Sequence, residues 1–207
     1  MENIKKEKGF TLIELLVVIA ILAVLATAVV LVLNPAELIK QGRDSTRISD
    51  LAALNSAIAL WVADVRNPTS AGWPGTNGVC TYTSSTTGTG RPTSTLAATC
   101  TATSSINVNG TGWVPLDFTQ ISSGSPLSKL PIDPNNGATG CWNATTANTV
   151  VCQYAFAASS TVGVYEIDAA MESSKYGGPT GSANVTNTDN GNNSYWYEVG
   201  SNLSLFN

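Results

Sequence analysis

The chain lacks histidine and has few charged side chains. Of its 207 residues, 12% are charged, and the formal net charge is −4. Without histidine, the commonest general base and a common metal ligand are missing. An acidic, charge-poor chain also does not attract nucleic acid by bulk electrostatics. We therefore predict no enzymatic activity, no bulk nucleic-acid binding and no required cofactor.

Cysteine is present, but never at the C-x-x-C spacing typical of zinc and redox-active sites. The four cysteines are Cys80, Cys100, Cys141 and Cys152. An even count beyond a membrane-crossing segment predicts disulfides in an oxidising compartment. Of the three connectivities, sequential pairing closes the shortest loops, so we favour Cys80–Cys100 and Cys141–Cys152. The alternative is that some of these residues are buried free thiols.

A long apolar run occupies residues 10–33, and Glu14 is its only charged residue. At a rise of about 1.5 Å per residue, a helix over this run would be roughly 36 Å long, enough to cross a hydrocarbon core of about 30 Å. An unpaired carboxylate in hydrocarbon costs roughly 2.5–3.5 kcal/mol. Something must therefore compensate the charge of Glu14.

The residues around Glu14 resemble the class III signal of bacterial type IV pilins and type II secretion pseudopilins. A lysine-rich leader precedes Gly9, Phe10 and Thr11, and residues 12–15 read Leu-Ile-Glu-Leu. The resemblance implies that prepilin peptidase cleaves after Gly9 and that the new N-terminal Phe10 is methylated. It makes Phe10, Thr11 and Glu14 assembly residues. In that family the glutamate pairs with the terminal amine of a neighbouring subunit, which would compensate both charges.

Two other interpretations of the apolar run are an ordinary secretory signal and a simple signal anchor. The first would be cleaved after the small residues 26–28 and would leave an apolar mature end. A simple signal anchor does not account for the charged Glu14. Three basic residues flank the run on each side, so the positive-inside count is a tie. The orientation, with a cytoplasmic N-terminus and the bulk outside, rests mainly on the motif.

Residues 34–65 predict an amphipathic continuation of the helix. Apolar residues recur there at three- and four-residue steps, which predicts a stripe that packs on a sheet: Ile48, Leu51, Leu54, Ile58, Trp61 and Val65. The spacing of Arg47 and Asp50 predicts a surface ion pair.

Asn34-Pro35 predicts a kink in a continuous helix, since proline lacks the N–H for an i−4 bond. The alternative is that one helix ends at Leu33 and Pro35 begins the next. The resemblance implies helix loosening in the filament at Asn34, Pro35 and Gly42.

Residues 66–149 predict a long irregular connection with a Ser/Thr-rich segment between Cys80 and Cys100. Residues 130–134 read Leu-Pro-Ile-Asp-Pro. They resemble the turn that major pseudopilins carry before their sheet. We expect Asp133 to accept a hydrogen bond from a backbone amide two residues on.

Residues 150–207 predict an antiparallel sheet and a C-terminal loop. Alternation predicts a hairpin with one buried face, formed by residues 150–157 and 165–171, a third strand at 195–199 and a fourth at 203–206. The loop before the third strand carries Asp189, Asn190 and Asn192, whose oxygens suit Ca²⁺. Major pseudopilins place calcium in a comparable loop. The alternative is an Asn/Gly turn without a metal.

Together these features predict an α+β pilin fold. Its parts are a leader (1–9), a membrane and filament-core helix (10–33), a helix continuation (34–65), a connecting loop (66–149) and a sheet (150–207).

The function that the resemblance implies is a structural subunit that polymerises into a helical filament serving adhesion, motility or DNA uptake. Its partners would be other copies of the chain, prepilin peptidase, an inner-membrane assembly platform and, before assembly, lipid. The precursor would lie in the inner membrane with its C-terminal domain outside, and the product would be an extracellular or periplasmic fibre. The alternatives are a type II secretion pseudopilin and a membrane-anchored binding protein that does not polymerise.

Overall fold

The computed structural model describes residues 9–65, 78–85, 92–96, 100–142, 150–159, 163–178 and 180–207. Its helices are α1 (Leu12–Leu33) and α2 (Pro35–Asp64), with a short 3-10 turn at Phe118–Gln120. Its strands are β1 (Val79–Tyr82), β2 (Thr101–Ala102), β3 (Thr139–Cys141), β4 (Val150–Val151), β5 (Tyr154–Ser159), β6 (Val164–Ala170) and β7 (Trp196–Gly200). A long apolar N-terminal helix and a mainly antiparallel sheet confirm the α+β class and are consistent with a pilin fold.

The chain divides into two compact units, one ending at Leu38 and the other running from Ile39 to Asn207. In the second unit, α2 presents the predicted apolar stripe to the core. Leu51, Leu54 and Trp61 are fully buried there, and the partly buried Ile48 and Val65 pack at its edges. The indole of Trp61 also donates to the Asp117 carbonyl at 2.9 Å. The helical periodicity therefore predicted this face correctly.

The main sheet has the strand order β2-β1-β5-β6-β7. Strands β1, β5, β6 and β7 are antiparallel neighbours, and β2 is parallel to β1. Phe156 of β5 lies opposite Ile167 of β6, which lies opposite Val199 of β7. Phe156 and Ile167 belong to the same buried cluster as the α2 stripe. One face of the sheet thus packs on α2.

The prediction of a single buried face is wrong, because the second face is covered as well. Ala155 and Ala157 point to that face and are fully buried. They pack with Tyr82 of β1 and with Leu205 and Phe206 of the C-terminal segment. The predicted fourth strand is also wrong, since Phe206 forms only an isolated bridge to Ser94. The C-terminal segment lies across the sheet instead of extending it.

The prediction that residues 66–149 are wholly irregular is wrong too. This region supplies β1 and β2 to the main sheet, and it supplies β3 to a two-stranded sheet with β4. The predicted strand at 150–157 is divided into β4 and β5. Cys152 lies at the division, where it is bonded to Cys141, the last residue of β3. The disulfide therefore holds β4 against β3, while β5 enters the main sheet.

Candidate functional site

The N-terminal end of α1 is a capping box. The Glu14 carboxylate accepts hydrogen bonds from the backbone N–H and the hydroxyl of Thr11, both at 2.8 Å, and the Glu14 N–H donates to that hydroxyl at 3.3 Å. Such a box satisfies N–H groups that have no partner within a helix. Glu14 therefore has hydrogen-bond donors within its own chain.

The surface of α1 is apolar on every side. Every side chain that the structure describes in α1 is exposed. Phe10, just before the helix, is 91% exposed. Among the described residues, Leu12–Val30 is long and apolar enough to cross a membrane, with a mean hydropathy of 2.9. A helix that is apolar all round belongs in lipid or in a protein core.

A comparison with protein-family models identifies the segment. Residues 4–30 match the model described as the prokaryotic N-terminal methylation motif. The chain carries the class III signal peptide of type IV pilins and pseudopilins. In this pilin-type signal, Gly9 and Phe10 flank the predicted cleavage point, and Thr11 and Glu14 form the capping box. Comparison with curated proteins and with solved structures gives no match.

The pilin-type signal supports a precursor of the pilin or pseudopilin class, and its apolar helix fits a membrane-anchored precursor. The motif also implies processing by prepilin peptidase. Beyond the signal, α1 ends at Leu33 and Pro35 begins α2, as in the alternative to a kinked helix. Asn34 has a left-handed backbone with φ 40°. Gly42 lies inside α2, so the predicted loosening there remains a prediction about the filament.

The predicted surface pair of Arg47 with Asp50 is wrong. Arg47 is fully buried and forms a paired, two-hydrogen-bond contact with Asp133, each bond 2.7 Å long. Its third guanidinium nitrogen, Nη1, donates to Asp44 at 2.7 Å and to Glu172 at 2.9 Å. Asp133 and Glu172 lie 86 and 125 residues from Arg47 in the sequence. Helix spacing therefore could not reveal these two partners.

This buried network joins α2 to the proline-flanked corner and to the end of β6. Arg43 adds two hydrogen bonds to Glu172, at 2.6 and 2.9 Å. Burial tends to raise the pKa of Glu172, but the Arg43 and Arg47 guanidinium groups outweigh it and lower that pKa. Asp133 also accepts the Asn135 N–H at 2.7 Å, which confirms the expected turn contact.

The four cysteines form two disulfides, Cys80–Cys100 and Cys141–Cys152, which is the sequential pairing. Cys80 lies in β1, so the first bond ties the main sheet to the segment before β2. The Ser/Thr-rich segment between Cys80 and Cys100 lies partly outside the described residues.

Two of the three candidate calcium residues in the loop, Asp189 and Asn192, bond to protein groups. Asp189 accepts the Gly191 N–H at 3.0 Å and the Glu198 N–H at 2.9 Å. Asn190 has a left-handed backbone with φ 67°. The Asn192 amide donates to the Phe206 carbonyl at 3.0 Å. The loop is thus fastened to β7 and to the C-terminal segment.

The sequence analysis missed a cluster of three acidic side chains beside this loop. Glu166 and Asp168 of β6 and Glu198 of β7 each offer an oxygen within 4.8 Å of the others. The predicted hairpin with one buried face placed Glu166 and Asp168 on its outward face, but these two residues and Glu198 are 0%, 0% and 2% exposed. Burial and the neighbouring acidic charges raise the pKa of Asp168. Burial and the adjacent Glu166 carboxyl raise the pKa of Glu198 to about 9. Carboxylates at alternate positions on two neighbouring strands were the available signal.

Proposed function

We propose that this chain is a type IV pilin, a structural subunit that polymerises through α1 after prepilin peptidase cleaves behind Gly9. The precursor is held in the inner membrane, an assembly platform extracts it, and copies of it form an extracellular helical fibre that serves adhesion, motility or DNA uptake. The observation that carries this proposal is the exposed and almost entirely apolar surface of α1, within a segment that matches the pilin-type signal.

The energetics of α1 require a continuous apolar environment. Burying one Val, Leu or Ile side chain is worth about 1.5–3 kcal/mol relative to water. Leu12 is 82% exposed and Val24 is 70% exposed, and the other described side chains of α1 are exposed as well. Lipid supplies that environment before assembly, and α1 helices of other copies supply it afterwards. A subunit can therefore exchange lipid for protein without exposing the helix to water.

Glu14 has two roles that follow one another. In the single chain its carboxylate caps α1 through Thr11. Cleavage after Gly9 creates a positive amine at Phe10, and in the filament a neighbour's amine pairs with Glu14. An ion pair that is removed from water is favourable only when both charges are present and well placed. The pair therefore sets the register of the subunits.

Two substitutions at Glu14 separate these roles. Glu14→Gln keeps the capping box, because glutamine also serves at this position, but it removes the charge. Glu14→Ala removes both. We expect both variants to be inserted and cleaved, and both to give few fibres after shearing and electron microscopy. Normal fibre yield from Glu14→Gln would contradict the charge pair, even if Glu14→Ala failed.

A type II secretion pseudopilin is the second candidate, and the corner at residues 130–134 favours it. This Leu-Pro-Ile-Asp-Pro sequence resembles the turn of major pseudopilins, and its Asp133 is anchored by Arg47. Deleting the gene separates the candidates. A pilin deletion removes surface fibres and leaves secreted enzymes in the medium, whereas a pseudopilin deletion traps those enzymes in the periplasm. A chain that is never found in fibres, with secretion intact, would support a membrane-anchored binding protein.

A further inference from the structure

Three carboxylates lie together on the face of the main sheet that is turned away from α2. Asp168 of β6 is directly opposite Glu198 of β7. Glu166 is two residues from Asp168 on the same strand, so it points to the same face. Like charges directly opposite each other on neighbouring strands destabilise a sheet. The fold must therefore contain something that offsets these charges.

The described protein groups do not supply that compensation. Asp168 is fully buried, and neither of its oxygens accepts a hydrogen bond from a described group outside the three carboxyls. Glu166 Oε1 and Glu198 Oε1 are buried and unpartnered in the same way. No salt bridge within the described part of the chain reaches these three residues. A buried carboxylate without a partner is strongly unfavourable unless it binds a proton or a cation.

A second buried, unpartnered group lies immediately before β5. Gln153 is fully buried, and neither its amide oxygen nor its amide nitrogen has a partner among the described residues. It comes two residues before Ala155, which is directly opposite Asp168. Gln153 is one residue outside β5, and extending the alternation of that strand by one residue places it on the face of Asp168, diagonally across from that residue. An amide oxygen is a further hard ligand of the type that Ca²⁺ binds.

We propose that Glu166, Asp168 and Glu198 bind one Ca²⁺ ion on this face of the sheet, with the amide oxygen of Gln153 as a further ligand. Calcium–oxygen distances are about 2.3–2.6 Å, so two oxygens on one ion are at most about 5 Å apart. The three carboxylate oxygens lie within 4.8 Å of one another, which satisfies that limit. Mg²⁺ fits less well, because it keeps several waters and demands a strict octahedron, whereas these carboxylates are buried.

The ion would fasten the C-terminal segment and the preceding loop to the sheet. The second oxygen of Glu166 accepts the N–H groups of Leu205 at 2.6 Å and Phe206 at 3.1 Å. The second oxygen of Glu198 accepts the Asn193 N–H at 3.2 Å. Each of these glutamates thus has one oxygen bonded to a covering segment and one directed to the ion. The loop residue Asp189 accepts a hydrogen bond from the backbone N–H of Glu198. In this arrangement Asp189 positions Glu198 and is not itself a ligand.

Calcium titration of the full-length chain in detergent tests the proposal. The probe is Ca²⁺ added after chelation, with Mg²⁺ as the matched ion, and the readouts are the melting temperature and the stoichiometry by isothermal calorimetry. At a Ca²⁺ concentration 100 times the Kd, we expect the melting temperature to rise by about 5–10 °C. We expect one ion per chain and a much smaller rise with Mg²⁺.

Three variants locate the ion. Asp168→Asn and Glu198→Gln remove acidic charge without changing side-chain size, so we expect each to fold with a higher melting temperature in chelator and to lose the calcium response. Asn190→Gly keeps the left-handed backbone of the loop and removes its amide, so it should retain the response. An unchanged melting temperature for the wild-type chain would overturn the proposal. So would a calcium response that survives in Asp168→Asn and Glu198→Gln, or one that Asn190→Gly abolishes while they retain it.

Discussion

Removing the guanidinium of Arg47 should destabilise the second unit severely. In Arg47→Ala, three buried carboxylates lose their shared cation: those of Asp44, Asp133 and Glu172, which are 0%, 3% and 2% exposed. Breaking a buried ion pair by removing one partner costs about 3–5 kcal/mol. A unit of this size loses about 2–4 °C of melting temperature per kcal/mol, so we expect a fall of about 6–20 °C.

Arg43→Ala is the matched control. Arg43 bonds the same Glu172 carboxylate, but its side chain is 31% exposed, so water can replace part of the interaction. Partly exposed pairs contribute about 1 kcal/mol or less. The assay is thermal unfolding of both variants, followed by circular dichroism in the same detergent. An Arg47→Ala loss no larger than that of Arg43→Ala would refute the argument that the buried network stabilises the fold.

The pH dependence gives a second check on the same network. The pKa of Glu172 is lowered in the folded chain, so its contribution is present above the ordinary value of 4.5 and is lost as the pH falls through the folded pKa. We therefore expect wild-type stability to decline below about pH 4.5. The difference between wild type and Arg47→Ala should shrink in acid, because protonation of Glu172 removes its ionic interaction with Arg47 in the wild type. A constant difference from pH 7 to pH 3 would contradict this explanation.

Two further expectations concern α2 and the disulfides. Gly42→Ala should raise the melting temperature by about 1–4 °C, because alanine stabilises a helix by about 0.5–1 kcal/mol relative to glycine. The added Cβ would have no atom within 4 Å. A lowered melting temperature would show that the glycine is needed there. Replacing both Cys80 and Cys100 by serine should lower the free energy of unfolding by about 3 kcal/mol, since the disulfide closes a loop with a sequence separation of 20. Chemical denaturation measures this loss, and a midpoint equal to that of the wild type would contradict the expectation.

Local patterns were sufficient to predict that the N-terminal part of the chain is helical. The apolar run specifies α1 through composition, whereas the capping box, which the three-residue spacing of Thr11 and Glu14 could have indicated, was not predicted. The stripe of α2 follows from helical periodicity, so Leu51 and Trp61 were placed correctly in the core. In each case the decisive neighbours are within a few residues along the chain, where sequence patterns carry direct geometric information.

Long-range contacts were beyond such patterns. Strand β1 lies in a Ser/Thr-rich region whose composition favours an irregular connection, yet its pairing with β5 and the Cys80–Cys100 bond hold it in the sheet. Alternation correctly grouped Glu166 with Asp168, but it could not show that Leu205 and Phe206 cover that face. Burial of a strand face depends on segments distant in sequence, so alternation identifies the face but not its environment.

The most direct test of the proposed pilin function is mass spectrometry of the N-terminal peptide from fibres sheared off cells that express the chain. We expect the chain to be abundant in those fibres and its N-terminal peptide to begin at Phe10 with a methylated amine. Absence of the chain from the fibres would contradict the proposal. A chain that still begins at Met1, or that begins after Ala28 as secretory cleavage would leave it, would also contradict it.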